Sequence, residues 1–234
     1  MIKIGIFVEG QTERIFVVKF LSEYLGGEHN FSRTEIINLG SKGTKIITER
    51  NFPHADFYFL IFDTTGDGNV VPAILERADN MIKNRGFRYI LALEDLYDRP
   101  RNKKKYVLNQ FNRLTAKFTF QDRLKLILAI MEIEAWFLAD YNLFSRLNSI
   151  ATPKFINQEL NINLIDKNPE SYNHPAEIIN KIYKLCGMKY KKREQQTYNI
   201  VYNVDFDFLC SDEIIEKVKS WKYFVSCIDE SISS

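Results

Sequence analysis

The sequence predicts an α/β protein with a mostly parallel sheet, followed by a helical C-terminal extension. Short, nearly continuous apolar runs, typical of strands buried on both faces, alternate with segments of helical periodicity in the first part of the chain. This β-α-β order favours right-handed crossovers, which bring the carboxyl ends of the strands to one edge of the sheet. Three of the apolar runs end in a carboxylate. These observations predict the fold class and the edge at which a site is expected.

The predicted elements follow one another in a regular order. Strands are expected at 2–8, 34–39, 57–62, 89–93 and 124–129, and helices at 11–25, 44–51, 72–85, 106–117 and 130–140. The extension is predicted to contain helices at 176–185, 197–201, 206–209 and 212–225, with a frayed tail at 229–234. We therefore expect an α/β domain at 1–140 and a helical extension at 141–234 that packs on it.

The composition is that of an ordinary globular chain. The 234 residues are 45% hydrophobic and 26% charged, and the net charge of +2 alone does not predict a polyanionic partner. Eighteen Phe and twelve Tyr predict a Phe-rich core rather than a base-stacking surface. The three cysteines have no zinc spacing and favour reduced thiols in the cytoplasm. No apolar run approaches a membrane-spanning length, so no membrane association is expected.

Carboxylates stand at the ends of three predicted strands. Glu9 follows the first strand, Asp63 follows the run at 57–62, and Asp95 follows the run at 89–93. Sites in open α/β sheets form beyond the carboxyl ends of parallel strands, so these side chains are expected to converge. Carboxylate oxygens suit Mg²⁺ and phosphoryl chemistry, whereas glycoside hydrolysis by two carboxylates is a weaker alternative. The expected cluster contains Glu9, Asp63 and Asp95, with Glu13, Asp67, Glu94 and Asp98 nearby.

A further acidic segment lies at 130–140. It is almost wholly apolar except for Glu132, Glu134 and Asp140. On a helix these three residues cannot all face one side, and we assign the site-facing position to Glu134. The alternative is that Glu132 and Glu134 are ordinary residues of a helix start.

Two basic segments accompany the carboxylates. The plain interpretation of the segment at 99–106 is a solvated loop, and the segment at 189–193 is the most basic patch in the chain. Beside an acidic cluster, however, lysines and arginines have a use, because they bind phosphates that the carboxylates repel. The predicted nucleic-acid-binding residues are Lys103, Lys104, Lys105, Lys191, Lys192 and Arg193.

Other catalytic motifs are missing from the sequence. It has no P-loop, no dinucleotide-binding glycine pattern, no HExxH and no GxSxG. The three histidines are isolated from one another. A metal-bound water is therefore the predicted hydrolytic nucleophile.

Two motifs resemble a known group of proteins. The segment Val8-Glu9-Gly10-Gln11-Thr12-Glu13 resembles the opening of Toprim-type domains, in which an apolar strand ends in Glu-Gly. The segment 131–140, MEIEAWFLAD, resembles a motif of the DUF4276 and RloB-like proteins, a Toprim-like group of prokaryotes. The resemblance implies a Toprim-like Rossmannoid three-layer sandwich.

The resemblance also implies a site that binds Mg²⁺ or Mn²⁺. Glu9 matches the general acid/base of the group, but neither Asp63 with Asp67 nor Asp95 with Asp98 forms the D-x-D pair of the group. The expected metal ligands are Glu9, Asp63, Asp95 and Asp98, and the expected catalytic residues are Glu9, Glu13 and Glu134.

The implied function is a metal-dependent nuclease of a prokaryotic phage-defence system, acting on DNA or RNA. RloB-like proteins are similar to partners of operon-encoded ATPases, so an AAA- or ABC-type ATPase is an expected partner, and surface aromatics permit a homodimer. The alternative function is a catalytically silent module that docks onto such an ATPase. The imperfect aspartate pairs favour this alternative.

Overall fold

A computed structural model describes residues 1–66, 68–97 and 99–233 of the chain. In these residues the strands form one mixed six-stranded sheet, with helices on both sides. The strands are β1 Ile2–Val8, β2 Phe31–Asn38, β3 Thr44–Arg50, β4 Phe57–Asp63, β5 Phe87–Asp95 and β6 Leu124–Ala129. Their order in the sheet is β3-β2-β4-β1-β5-β6. The predicted α/β fold with a mostly parallel sheet and a helical C-terminal region is confirmed.

The centre of the sheet is β1, which is parallel to both β4 and β5. Val8 pairs with Asp63 on one side and with Leu93 on the other. The apolar sequences of β1 and β4 explain this central position, because inner parallel strands are covered on both faces. The register therefore brings the carboxyl ends of the three strands to one edge of the sheet.

The outer strand β3 corrects the prediction of a helix at 44–51. Four of its first five residues are β-branched, which favours a strand, and it pairs antiparallel with β2. A tight turn precedes it, in which the backbone N–H of Leu39 donates to the carbonyl of Gly43. Gly43 adopts φ 82°, which a residue with a side chain rarely adopts. The helical prediction is wrong because pairing with β2 decides the conformation.

The helices lie between the strands and throughout the C-terminal region. They are α1 Gln11–Tyr24, α2 Val70–Asp79, α3 Lys104–Thr115, α4 Glu134–Ala139, α5 Leu143–Leu147, α6 Pro153–Leu160, α7 Pro175–Leu185, α8 Glu194–Val201, α9 Phe206–Leu209, α10 Asp212–Lys217 and α11 Lys219–Ile232. A π-helical turn, Asn80–Asn84, continues α2, and a 3₁₀ turn, Arg101–Lys103, precedes α3. The segment 130–133, predicted as helix, is not helical.

The C-terminal helices differ from the prediction in two ways. The predicted helix 212–225 is divided at Val218, whose φ of −109° and ψ of 88° end α10. The tail does not fray, because α11 continues to Ile232 and the side chains of Ile228 and Ser231 are fully buried. Apolar residues on one face of α11 hold the tail in the structure.

The chain divides into two compact units. The first contains Met1–Glu94, Pro100–Leu128 and Tyr223 onwards, and the second contains Asp95–Arg99 and Ala129–Lys222. We expected one boundary at residue 140, whereas this division falls at several places along the chain. The first unit contains α1 to α3 and the sheet, except for Asp95 at the end of β5 and Ala129 at the end of β6, and the second unit contains α4 to α10.

Each unit has an aromatic core. In the first unit, the rings of Phe7 and Phe62 stack at 5.2 Å between centroids, and Phe20 meets Phe224 edge-on at 5.1 Å. In the second unit, Trp136 and Trp221 are both fully buried, with ring centroids 5.3 Å apart. Burying each such side chain stabilises the fold by roughly 1.5–3 kcal/mol or more. The expectation of a Phe-rich core is met in the first unit.

Candidate functional site

Glu9 stands directly after β1 and contacts the loop that follows β4. Its carboxylate Oε1 accepts a hydrogen bond from the backbone N–H of Gly68 at 3.3 Å. Its own carbonyl accepts one from the N–H of Gly66 at 3.0 Å. Glu9 is half-buried, so one side chain both anchors a loop and reaches the solvent at the edge of the sheet.

Glu13 lies in the first turn of α1 and is buried. Gly10 precedes the helix with an extended backbone, and its Cα lies close to the Glu13 carboxylate: a Cβ at Gly10 would stand 3.5 Å from Oε2. The positive end of the helix favours a carboxylate in the first turn. The strand-turn-helix sequence therefore places two acids, Glu9 and Glu13, at the same end of α1.

Asp63 ends β4 and is also buried. Its Oδ1 accepts hydrogen bonds from the backbone N–H of Thr65 at 2.9 Å and from the Thr65 hydroxyl at 3.3 Å. Its Oδ2 lies 3.6 Å from Nε of Arg14. Burial raises the pKa of the Asp63 carboxyl, and it outweighs the hydrogen bonds from Thr65 and the charge of Arg14, which lower that pKa.

Arg14 connects Asp63 with a second buried acid. Its Nη1 lies 2.8 Å from Oε2 of Glu35 on β2, and Glu35 Oε1 accepts from Nε of Arg33 at 3.0 Å. All three of these side chains are almost completely buried. The sequence analysis missed this network, because no spacing in the sequence pairs a residue of α1 with one of β2.

Glu94 is the acid at the carboxyl end of β5 that belongs to the first unit. It is buried and follows Leu93, the residue of β5 that pairs with Val8. Glu9 likewise follows Val8 by one residue. The carboxyl edge of β1, β4 and β5 thus carries Glu9, Asp63 and Glu94, with Glu13 beginning the adjoining helix.

Asp95 and Glu134, the other predicted site residues, lie in the second unit. Asp95 Oδ1 accepts the backbone N–H of Ile133 at 2.9 Å, just before α4. Glu134 begins α4 and is fully buried, and its Oε1 accepts the hydroxyl of Tyr190 at 3.0 Å. The ammonium of Lys192 lies 3.0 Å from the same oxygen. Asp98 and Asp67 lie outside the described residues.

Lys192 is the counter-ion of this second cluster. Its Nζ contacts Glu132 at 3.4 Å as well as Glu134. Burial lowers the pKa of Lys192, but the carboxylates of Glu134, Glu132 and Asp95 outweigh burial and raise it. Burial raises the pKa of Glu134, and Glu132 raises it further, while Lys192 lowers it. The lysine therefore stays charged at neutral pH.

Strained backbone accompanies both clusters. Thr65, beside Asp63, has φ 54°, whereas Met131 and Lys192, beside the buried glutamates, have φ 68° and 50°. Residues other than glycine rarely adopt this left-handed region, and such strain concentrates at functional sites. The fold therefore maintains unfavourable conformations next to the acidic side chains.

The remaining predicted basic residues lie mainly on the surface. Lys103 and Lys105 are exposed and Lys104 is half-buried at the start of α3. Lys191 and Arg193 are exposed before α8. Their exposure is compatible with phosphate contacts.

Two properties of the described residues bear on cofactor and membrane expectations. Over 1–66, 68–97 and 99–233, no three or more His, Cys, Asp or Glu side chains form a group arranged to hold a metal ion. In the same part of the chain, every helix is too short or too polar to cross a membrane.

The fold and the carboxylates define a class: an α/β protein whose central parallel strands end in buried acids. The model of the domain of unknown function DUF4276 matches residues 8–211, and the chain therefore belongs to this family. Neither the curated proteins nor the solved structures contain a significant match. The expected DUF4276 relationship is confirmed, and the Toprim and RloB relationships stay predictions.

Proposed function

We propose that the protein is a metal-dependent nuclease that hydrolyses phosphodiester bonds, as part of a prokaryotic phage-defence system. The observation that supports this most directly is the carboxyl edge of the first unit. Three acids there, Glu13, Asp63 and Glu94, are each about 5% exposed or less. Carboxylates gathered at one edge repel one another, and a bound cation would relieve this repulsion, as the charge of Arg14 already does for Asp63. Such an edge is a common place for sites in open α/β sheets.

The chemistry of these donors fits Mg²⁺ or Mn²⁺. Hard divalent cations take oxygen ligands, and the edge offers carboxylate oxygens of Glu9, Asp63 and Glu94. Burial raises the pKa of Asp63 and so opposes its ionised form, and a bound cation would act in the opposite direction and lower that pKa. When bound, the ion would stabilise negative charge on the scissile phosphate. Asp95 and Asp98 stay predicted ligands.

The residues of the chain have separate roles in this proposal. Glu9, half-buried at the tip of β1, orients the attacking water and accepts its proton, or protonates the leaving oxygen. Glu13 adds negative charge beside it. Glu134 positions Lys192 and Tyr190 through its hydrogen bonds and does not itself transfer a proton.

Cleavage assays with a matched control variant test the proposal. Single-stranded and duplex DNA and RNA, including tRNA, are incubated with wild type, Glu9→Gln and Glu23→Gln in Mg²⁺, Mn²⁺ or EDTA. We expect cleavage that depends on the divalent ion, and a loss of about 100-fold or more in Glu9→Gln. Glu23, an exposed residue on the same helix, serves as the control. Equal activity of wild type and Glu9→Gln would reject the site.

A second candidate function is a catalytically silent module that docks onto a partner ATPase. It is favoured by the hydrogen bonds of Asp63 to Thr65 and of Asp95 to Ile133, which give both aspartates a structural use. Calorimetric titration with Mg²⁺ and Mn²⁺ separates the two functions. Metal binding supports the nuclease, and no heat at millimolar concentration supports the docking module.

A further inference from the structure

The second unit presents two aromatic rings to the solvent. Tyr97, in the turn after β5, is 46% exposed, and His174, just before α7, is also exposed. Their ring centroids lie 6.0 Å apart with an interplanar angle of 70°. The rings contact each other edge-on, so the two side chains form one exposed aromatic patch.

A chain of short contacts connects this aromatic pair with Lys192. Glu132 Oε1 lies 3.4 Å from the Lys192 ammonium, and its Oε2 accepts the backbone N–H of Ala176 at 2.9 Å. His174 is two residues before Ala176. One carboxylate therefore fixes both the lysine and the segment that carries the histidine.

Asp95 provides a second connection, between Tyr97 and Lys192. Its Oδ1 holds the backbone of Ile133, and its charge acts on Lys192. Tyr97 follows it by two residues, and the exposed Arg99 lies in the same turn. The tyrosine, the histidine and the cations thus belong to one neighbourhood of the second unit.

Lys192 is suited to contact a phosphate. Two glutamates hold its ammonium in place, yet its side chain is 39% exposed. The ammonium has three donors and contacts three carboxylate oxygens, one of Glu132 and both of Glu134, so a phosphate at this lysine would share these donors. Lys191 and Arg193 are exposed on either side of it.

We propose that this surface binds single-stranded nucleic acid, with a base stacked on the exposed ring of Tyr97, beside His174, and a phosphate on Lys192. The ligand class, nucleic acid, rests on the proposed function, and the new element is that the bound strand is unpaired. Aromatic rings next to cations are the usual means of binding single strands without sequence preference, because every base has a π-face. Bases within a duplex are already stacked and are not available to an exposed ring.

Anisotropy titrations of the full chain test this surface. A labelled 12-nucleotide RNA, the matching DNA and the duplex are titrated in EDTA against wild type, Tyr97→Ala, Tyr97→Phe, His174→Ala and Lys192→Ala. We expect Tyr97→Ala to weaken single-strand binding about 5- to 100-fold and Tyr97→Phe to retain it. We expect Lys192→Ala to reduce the slope of log K against log salt by about 0.7, as one lost phosphate contact on a single strand should.

Two variants of the second unit serve as controls. Tyr202 is 52% exposed and meets Tyr198 edge-on at 5.7 Å, so Tyr202→Ala removes a comparable exposed ring. Lys154→Ala removes an exposed charge from α6. Circular dichroism and the Tm of each variant show whether it folds. If Tyr97→Ala does not fold, His174→Ala provides a second test of the surface.

The outcomes separate this proposal from the proposed function. Single-strand binding that needs Tyr97, together with no cleavage by wild type in Mn²⁺, supports the surface and rejects the nuclease. Cleavage by wild type with unchanged binding by folded Tyr97→Ala and His174→Ala supports the nuclease and rejects the surface. Equal affinity for duplex and single strand, or an equal loss in Tyr202→Ala, also overturns the surface.

Discussion

Arg14 illustrates how single residues keep the acidic edge stable. It is buried between Asp63 and Glu35, so its charge is compensated on two sides. A buried network of this kind contributes little net stability compared with an apolar core, but removing one member leaves a charge without compensation. The network is therefore sensitive to any single substitution.

We predict that Arg14→Met lowers the free energy of unfolding by about 3–5 kcal/mol, because buried Asp63 loses the cation beside it and buried Glu35 keeps only Arg33. Urea unfolding followed by circular dichroism measures the change. The matched control is Lys19→Met on the same helix, which breaks a partly exposed pair with Glu23 and should cost about 0–1 kcal/mol. Equal effects of the two substitutions would contradict the prediction.

The second prediction concerns Asp63 and pH. Because burial raises its pKa in the folded state above the ordinary 3.8, the folded state holds this proton more strongly than the unfolded state. This contribution is complete below pH 3.8 and is lost as the pH rises through the folded-state pKa. The free energy of unfolding of Asp63→Asn, relative to wild type, should therefore increase as the pH rises from about 3.8. Urea unfolding at a series of pH values checks this, with exposed Asp56→Asn as control.

The positions of the acids can be predicted from the sequence, but their partners cannot. Glu9 and Asp63 follow from apolar runs that end in a charge, a signal that local sequence carries. The partners Arg14 and Tyr190 do not follow, because they meet their acids through tertiary packing. The sequence predicted that Lys192 contacts phosphate, and it gave no sign that two glutamates hold the lysine.

The boundaries of helices and strands depend on contacts that local sequence does not contain. The apolar residues at 130–140 predict one helix, but α4 begins only at Glu134, after Met131 turns the backbone to φ 68°. The segment 212–225 also predicts one helix, but α10 ends before Val218 and the longer helix α11 begins at Lys219. Packing of α11 extends this helix to Ile232, into the tail that is predicted to fray.

We predict that α11 depends on Phe224 for its attachment within the first unit. Phe224 is fully buried and meets Phe20 at 5.1 Å, so Phe224→Ala should cost about 3–5 kcal/mol of unfolding free energy. Tyr223, the neighbour in sequence, is 45% exposed, and Tyr223→Ala should cost less. Urea unfolding measures the free energy of unfolding of both variants. A larger loss for Tyr223→Ala than for Phe224→Ala would contradict the attachment of α11 through Phe224.

Along the sequence, the chain changes from one unit to the other four times, after Glu94, Arg99, Leu128 and Lys222. The last of these crossings lies inside α11, so one helix contributes to both units. Both tryptophans of the sequence, Trp136 and Trp221, belong to the second unit. Tryptophan fluorescence therefore reports unfolding of that unit alone.

We predict one cooperative unfolding transition for the two units, because unfolding either one breaks a helix that they share. Tryptophan fluorescence and hydrogen exchange of the β1 amides, measured over the same urea series, should give the same midpoint. A variant with Trp136→Phe confirms that the fluorescence change comes from the buried pair. Two separate midpoints would contradict shared unfolding.

The discontinuous first unit also has a consequence for synthesis. Its sheet lies within residues 2–129, but residues from Tyr223 onwards, which belong to the same unit, are translated only after the second unit. Domains that are contiguous in sequence can fold as they emerge, whereas this unit must wait until the second has been made. Nascent chains should therefore expose apolar residues of the first unit that later pack against α11, such as Phe20, until the second unit has been made, and this exposure makes them natural clients for chaperones.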